Sequence, residues 1–266
     1  SIRATAPGSL KVNFDPSTDS SYTDYYKITL KDADFNTLSS FETGQDGEIT
    51  AAVEAAGLYW VKVEATDYYH SDSVYGITAS LSTQTGTVET EDNDSISKAD
   101  KLTAGTQLQG QLSSSSDIDW FKYTVTGAAS LNLAFDLPTN SSYTDYFSVQ
   151  ILEDGDTVFS GVKTGKDGSL KASISEAGTY YVKLTSTNYY HDSGQYGLTL
   201  TEGSYDSNYE SEHNGYANTN GVIEAWGDRL TNNQKMSGQL FDSSDTDFYS
   251  IRATAPGSLK VNFDPS

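Results

Sequence analysis

Short runs in which apolar and polar residues alternate recur along the whole chain, and a period of two is that of strands with one face in a core. Phe121–Val125, Ser130–Phe135, Tyr146–Leu152, Ser169–Ile174, Tyr180–Thr185 and Tyr196–Leu200 are such runs. Asp-Gly, Pro-Gly and Asn/Ser clusters break the chain between them. Asp46-Gly47 and Asp167-Gly168 have the residues that two-residue hairpin turns need for positive φ. Helical periodicity is nearly absent, with Ile223–Asp228 the one weak candidate. About six to eight strands per stretch of about 115 residues predict an all-β chain of tandem antiparallel, jelly-roll-like β-sandwiches.

The pattern repeats. Ser1–Ser17, SIRATAPGSLKVNFDPS, recurs as Ser250–Ser266, an offset of 249. At an offset of 121, Phe14–Ser80 aligns with Phe135–Thr201 without a gap, with 27 identities in 67 positions. That density, held over fixed landmarks, marks a structural repeat. The landmarks are SSYTDY (20–25, 141–146), TG-x-DG (43–47, 164–168), AG-x-Y-x-VK (56–62, 177–183), YYH (68–70, 189–191) and YG-x-T (75–78, 196–199). At an offset of 128, Gly110-Gln111-Leu112 and Asp117-x-Asp119 match Gly238-Gln239-Leu240 and Asp245-x-Asp247. The two offsets add up to 249, and their difference places seven extra residues around Tyr216–Glu224.

A full unit therefore runs from a pair of glutamates to YG-x-T. Residues 87–203 hold one complete unit; 1–86 is the back half and 204–266 the front half of a second, split unit. The chain reads as a window, out of register with its own boundaries, on an array of alternating units. The duplicated seventeen residues fit either a near-verbatim 249-residue repeat or a circular permutation that kept one strand twice. The first is favoured, because a duplicated strand competes for one slot.

Composition narrows the function. A net charge of −21 and a pI near 4.2 set the molecule's field against polyphosphate and exclude a nucleic-acid binder. With 19 Tyr and 10 Phe the chain is too aromatic for an acidic disordered segment. The absence of cysteine removes disulfides, thiol nucleophiles and thiolate metal sites. An extracellular β-rich chain without disulfides can stabilise itself with divalent cations, so calcium is the ion to look for. No apolar run approaches the roughly 20 residues of a membrane span, and any export signal or anchor is expected outside this segment.

Glu-x-Glu-x-Asn-Asp, then G-x-L, Asp-x-Asp-Trp-Phe, AGTYYVKL and a closing Y-x-LTL together resemble the bacterial pre-peptidase C-terminal (PPC) domain, a family that includes the collagen-binding modules of secreted collagenases. The resemblance covers the 87–203 unit and, in two pieces, the rest of the chain. It implies a secreted, non-catalytic sandwich of about eight or nine strands, often calcium-bound near its N-terminal linker.

Calcium takes about six to eight hard oxygen ligands, so clustered carboxylates and amides are its signal. Glu89, Glu91 and Asn93 alternate on an extended segment and can converge on one ion, with Asp94 beside them and Asp117 and Asp119 flanking the entry to a core strand. In collagenase-type modules the matching positions are ligands, so the resemblance implies the same here. Glu210, Glu212, Asn214, Asp245 and Asp247 form the second set, with Gly215 where Asp94 stands. The bland reading of both sets is a turn cap and a solvated linker face.

Enzyme readings lack residues. His70 and His191 are equivalent positions of separate units, Thr164-Gly165-Lys166-Asp167 lacks the rest of a phosphate loop and reads as a hairpin turn, and no G-x-S-x-G occurs. Tyr22, Tyr25, Tyr68 and Tyr69, matched by Tyr143, Tyr146, Tyr189 and Tyr190, sit in or beside loops and suit either ligand contact or cover for the sandwich ends. The expectation is a secreted or surface-bound bacterial structural protein, a calcium-binding tandem repeat forming a fibre, stalk or adhesin shaft for cell adhesion. Its partner is itself, head to tail as a filament or as continuation of the array. The alternative is a collagen- or polysaccharide-binding appendage of a secreted hydrolase.

Overall fold

The computed structural model describes residues 1–16, 25–66, 71–83, 85–144, 146–187, 190–192, 194–212, 214, 216–219, 222–225 and 228–265. Tyr22, Tyr68, Tyr69, His70, Tyr189 and Gly215 lie outside them. Among the described residues there is no α-helix; a single 3-10 turn, Ile96–Lys98, accompanies the strands.

The N-terminal strands are β1 (Ile2–Ala4), β2 (Gly8–Pro16), β3 (Tyr26–Lys31), β4 (Thr37–Thr43), β5 (Gly47–Val53), β6 (Gly57–Ala65) and β7 (Tyr75–Ser82). They form two sheets, ordered β1-β6-β3-β4 and β5-β2-β7. Next come β8 (Asp100–Lys101), β9 (Gln107–Gly110), β10 (Ile118–Val125), β11 (Ala129–Asp136), β12 (Phe147–Leu152), β13 (Val158–Thr164), β14 (Gly168–Ile174), β15 (Gly178–Ser186) and β16 (Tyr196–Ser204). Their sheets are β13-β12-β15-β10-β8 and β14-β11-β16-β9. Side chains from both sheets, among them Phe121, Leu131, Leu133, Phe147, Val149, Ile151, Val182, Leu184, Tyr196 and Leu198, meet in one core. This is the antiparallel sandwich that the alternation predicts.

The repeat shows in matched pairings and hydrogen bonds. β1 pairs with β6 as the end of β10 pairs with β15, Ile2 opposite Tyr59 and Tyr123 opposite Tyr180. Tyr59 donates to the carbonyl of Ala55 and Tyr180 to that of Glu176, the same i−4 tyrosine bond in both copies. The N-terminal set therefore lacks counterparts of β8, β9 and most of β10, and its core is left more open: Tyr75 and Ile77 of β7 are 44% and 41% exposed, where Tyr196 and Leu198 of β16 are 1% and 0%.

The missing elements recur after β16. β17 (Tyr216–Thr219), β18 (Val222–Ala225), β19 (Asp228–Arg229) and β20 (Tyr249–Ser250) follow, and β19 pairs in parallel with β20 as β8 does with β10. The duplicated seventeen-residue segment is in two states. Its first copy forms β2, with Phe14 1% exposed between β5 and β7; in its second copy Phe263 is 87% exposed.

Two local readings are corrected. The described residues of the helix candidate Ile223–Asp228 are strand: Val222–Ala225 pairs antiparallel with Tyr216–Thr219, and Asn220-Gly221 comes between them in the sequence. β-branched Val222 and Ile223 beside a hairpin dipeptide outweigh the weak helical pattern. The Asp-Gly pairs, and with them the Thr164–Asp167 stretch, do not close hairpins, because β4 and β5, and likewise β13 and β14, lie in different sheets. Neither glycine has positive φ. Each makes room for an aromatic ring instead: a β-carbon on Gly47 would stand 2.6 Å from Phe41, and one on Gly168 would stand 2.7 Å from Phe135. In both copies the threonine opening the corner, Thr43 or Thr164, accepts from the amide two residues on and donates to the carbonyl there.

Candidate metal centre

Backbone pairing places the first glutamate. Glu89 donates its amide to the carbonyl of Gln109 while Gln109 donates to Thr87, which holds the segment along β9 and turns the Glu89 side chain inward. Farther along, Trp120 donates to the carbonyl of Asn93, which fixes the segment against β10. The alternation then works as strand geometry requires: carboxylate oxygens of Glu89, Glu91 and Asp119 all lie within 4.8 Å of one another. Glu89, Asn93, Asp117 and Asp119 are buried and Glu91 is half-buried.

The donors around this cluster are few. Oε1 of Glu89 accepts from the amide of Gln111 at 2.5 Å, and Oε2 accepts from Tyr196 at 2.9 Å and from Asn93 Nδ2 at 3.4 Å. The same Tyr196 phenol oxygen is also within hydrogen-bonding distance of Asp119 Oδ2. Asp117 Oδ2 accepts from the Ser113 amide at 2.5 Å and Asp94 Oδ1 from the Ile118 amide at 3.2 Å. Two buried oxygens, Asn93 Oδ1 and Asp119 Oδ1, have no donor at all. Among the described residues no ion pair ends on Glu89, Glu91, Asp117 or Asp119. Glycine at 110 is required by the cluster itself, since a β-carbon there would overlap the Tyr196 phenol and stand 2.6 Å from Glu89 Oε2.

Electrostatics follow from the geometry. Burial, then the charge of Asp119, pushes Glu89 well above the usual carboxylate range. Glu91 is pushed up to about 8, by burial and then by Asp117 and Asp94. Burial and Asp117 raise Asp119 strongly, and burial raises Asp117. Each of these shifts favours the protonated carboxyl over the carboxylate.

The C-terminal segment repeats the frame. Glu210 donates its amide to Ser237, Ser237 donates to Asn208, and Phe248 donates to Asn214. Glu210 Oε2 accepts from Asn214 Nδ2 at 3.3 Å and Oε1 accepts from the Gln239 amide. Asp245 Oδ2 accepts from the Phe241 amide at 2.8 Å, and Asp247 Oδ1 is buried without a donor. Burial raises Glu210 to about 7 and Glu212 to about 8, Asp245 being the leading charge on Glu212. Here the phenol on Glu210 Oε2, at 2.6 Å, comes from Tyr249, which stands where Phe121 stands in the central unit. The equivalent of Tyr196 is Tyr75, far along the chain in the N-terminal half.

One pair of acidic residues was not among the expected ligands. Asp100 Oδ2 accepts from the Thr90 amide at 2.5 Å, and Asp228 takes the amide of Ser211 at 2.8 Å and its hydroxyl at 2.9 Å. Both lock the linker between the two glutamates. The signal was present as Asp100-Lys101-Leu102 against Asp228-Arg229-Leu230, at the same offset of 128.

Away from the carboxylates, His191 Nε2 donates to the Leu112 carbonyl at 3.0 Å. Tyr190 is sandwiched between Tyr146, at 4.7 Å between ring centroids, and Tyr143, at 5.8 Å. Tyr143 and Tyr190 are exposed. Tyr25, the one N-terminal loop tyrosine described, packs on the N-terminal core.

No protein-family model matches the chain, and comparison with curated proteins gives no match. Among solved structures, the pre-peptidase C-terminal domain of collagenase from Bacillus anthracis is similar over 39% of this chain and 94% of its own, at 16% identity and a TM-score of 0.31. The tandem CBM51 modules of the family 98 glycoside hydrolase from Streptococcus pneumoniae are similar over 76% of this chain and 79% of theirs, at 14% identity and a TM-score of 0.27. No helix among the described residues is long and apolar enough to cross a membrane.

Proposed function

We propose that this chain is a stretch of an extracellular, non-catalytic array of calcium-stabilised β-sandwiches of PPC type, serving a bacterial surface as fibre, stalk or adhesin shaft. The observation that carries the reading is the convergence of Glu89, Glu91 and Asp119 on a point where the buried oxygens of Asn93 and Asp119 lack donors. Such a set is unfavourable without a cation, and its purely oxygen donors suit calcium over zinc or copper. Glu89, Glu91, Asn93, Asp94, Asp117 and Asp119 would hold the central ion; Glu210, Glu212, Asn214, Asp245 and Asp247 would hold a second. The ion's role is structural: it fixes the inter-unit linker to the first core strand.

In this reading the units are 1–86, 87–203 and 204–266, and the split unit is completed by a front half like 204–266, supplied head to tail by another copy or by continuation of the array. Among the described residues β7 is the last strand of its sheet, whereas β16 is covered by β9, Tyr196 opposite Gly110 and Leu198 opposite Leu108. The same register would set Tyr75 opposite Gly238 and Ile77 opposite Met236 of the completing front half, a head-to-tail strand addition that propagates along the array.

The exposed ring of Tyr143, at the end of its stack with Tyr190 and Tyr146, favours a second reading, a collagen- or polysaccharide-binding appendage, since exposed aromatic rings suit such ligands. Titration calorimetry with calcium chloride tests the first reading. Saturable binding that is lost from the central site in Asp119→Asn supports it; no binding at millimolar calcium contradicts it. Retention of the chain on collagen or a polysaccharide, abolished by Tyr190→Ala, would favour the second.

A further inference from the structure

The Gly-Gln-Leu motif does three separate jobs. Its glycine clears space for the carboxylates, and Leu112 enters the core. Its glutamine reaches out of the unit altogether. Gln111 accepts, through Oε1, a hydrogen bond from Ser39 on β4 of the N-terminal set, both side chains being buried. Gln239 accepts from Ser160 on β13 at 2.8 Å and from the Gly161 amide at 3.2 Å, and its Nε2 donates to the Gly161 carbonyl at 2.8 Å. Ser39 and Ser160 are equivalent at offset 121, Gln111 and Gln239 at offset 128. Two successive junctions are thus made by the same residue pair.

The strand contacted is in each case the outermost of its sheet, β4 in one and β13 in the other. Edge strands carry unpaired backbone groups, and the Gln239 amide meets both groups of Gly161 as a neighbouring strand would. The junctions differ in one respect. Two residues past the glutamine stands Phe241, and its ring occupies the space a β-carbon on Gly161 would need. The equivalents in the other junction are Ser113 and Ser40. Glycine faces phenylalanine in one junction, and the equivalent positions of the other are both serine.

We propose that Gln111 and Gln239 are docking keys by which each sandwich recognises the edge strand of the one before it, and that the Gly161–Phe241 contact, with serine at both equivalent positions of the other junction, makes the two junctions non-interchangeable. The partner this surface fits is the adjoining unit of the same array, in alternating order: a front bearing Phe241 seats on Gly161 and is refused by the side chain of Ser40. The inference rests on the array reading for its biological meaning but on the junction alone for its test.

The test is hydrogen–deuterium exchange on the full 266-residue chain, with the amides of β11 as an internal control for folding. Gly161→Ala is expected to speed exchange of residues 237–241 by about tenfold while β11 is unchanged, because the ring must leave its seat. In a Phe241→Ser background the same Gly161→Ala change is expected to have no effect. Gln239→Leu, which keeps the bulk and removes three hydrogen bonds, is expected to loosen the same segment. Independent, multiplicative effects of Gly161→Ala and Phe241→Ser, or unaltered exchange in Gly161→Ala, would overturn the proposal. Absence of calcium binding would sink the calcium-stabilised array reading and leave this coupling intact, so the two are separable.

Discussion

The phenol of Tyr196 donates a 2.9 Å hydrogen bond to Oε2 of Glu89, 107 residues earlier in the chain. The same hydroxyl serves Asp119, so one side chain from the last strand of the unit ties together two carboxylates from its front. Tyr196→Phe leaves the ring in the core and takes away the donor. The expected loss is about 1–3 kcal/mol in urea unfolding of the calcium-free chain, the penalty for leaving buried acceptors without a partner. An unchanged urea midpoint would mean the tie is unimportant.

Acid should stabilise the calcium-free protein. Glu91 and Glu212 are raised to about 8 and Glu210 to about 7 by burial, from 4.5 when unshifted. The folded chain therefore binds protons more tightly than the unfolded one, and the stability this contributes is whole below about 4.5 and lost as pH climbs through 7 to 8. Lowered carboxylates such as Asp92 and Asp206 stand near solvent, where screening shrinks their opposing effect. Urea midpoints in chelator should be higher at about pH 5 than at about pH 8; the reverse order would contradict the buried cluster.

Self-association should depend on β7. Light scattering of the 266-residue chain is expected to give a mass that rises with concentration in the micromolar range. Ile77→Asp, on the face left open by the missing front, is expected to hold it monomeric. A compact monomer at every concentration, with the N-terminal core fully protected from exchange, would mean that the split unit closes within one molecule.

Much of this was legible in the sequence, for identifiable reasons. Alternation places strands wherever one face is buried, and the two repeat offsets pair every landmark with its counterpart, so the Glu89–Asp94 and Asp117–Asp119 sets stand out from spacing alone. What escaped was long-range or decided by packing. Tyr196 reads as one more core aromatic until β16 is laid against β9 and β10. Asp100 and Asp228 lock the linker through backbone amides, a role that no local spacing announces. The Asp-Gly pairs carry hairpin chemistry yet turn a corner between sheets, with Phe41 and Phe135 filling the space beside Gly47 and Gly168. Gln111 and Gln239 act across units, where a single unit's pattern has nothing to say.

The most direct test of calcium stabilisation is the melting temperature of the whole chain in millimolar calcium and in chelator. An ion that binds only the folded state adds about 2.7 kcal/mol at a hundredfold excess over its Kd. For a chain of this size that is expected to raise the melting temperature by about 5–10 °C, and Asp117→Ala with Asp119→Ala should abolish most of the rise for the central unit. Equal melting temperatures in calcium and in chelator, in the unaltered chain and in the variant alike, would contradict the account.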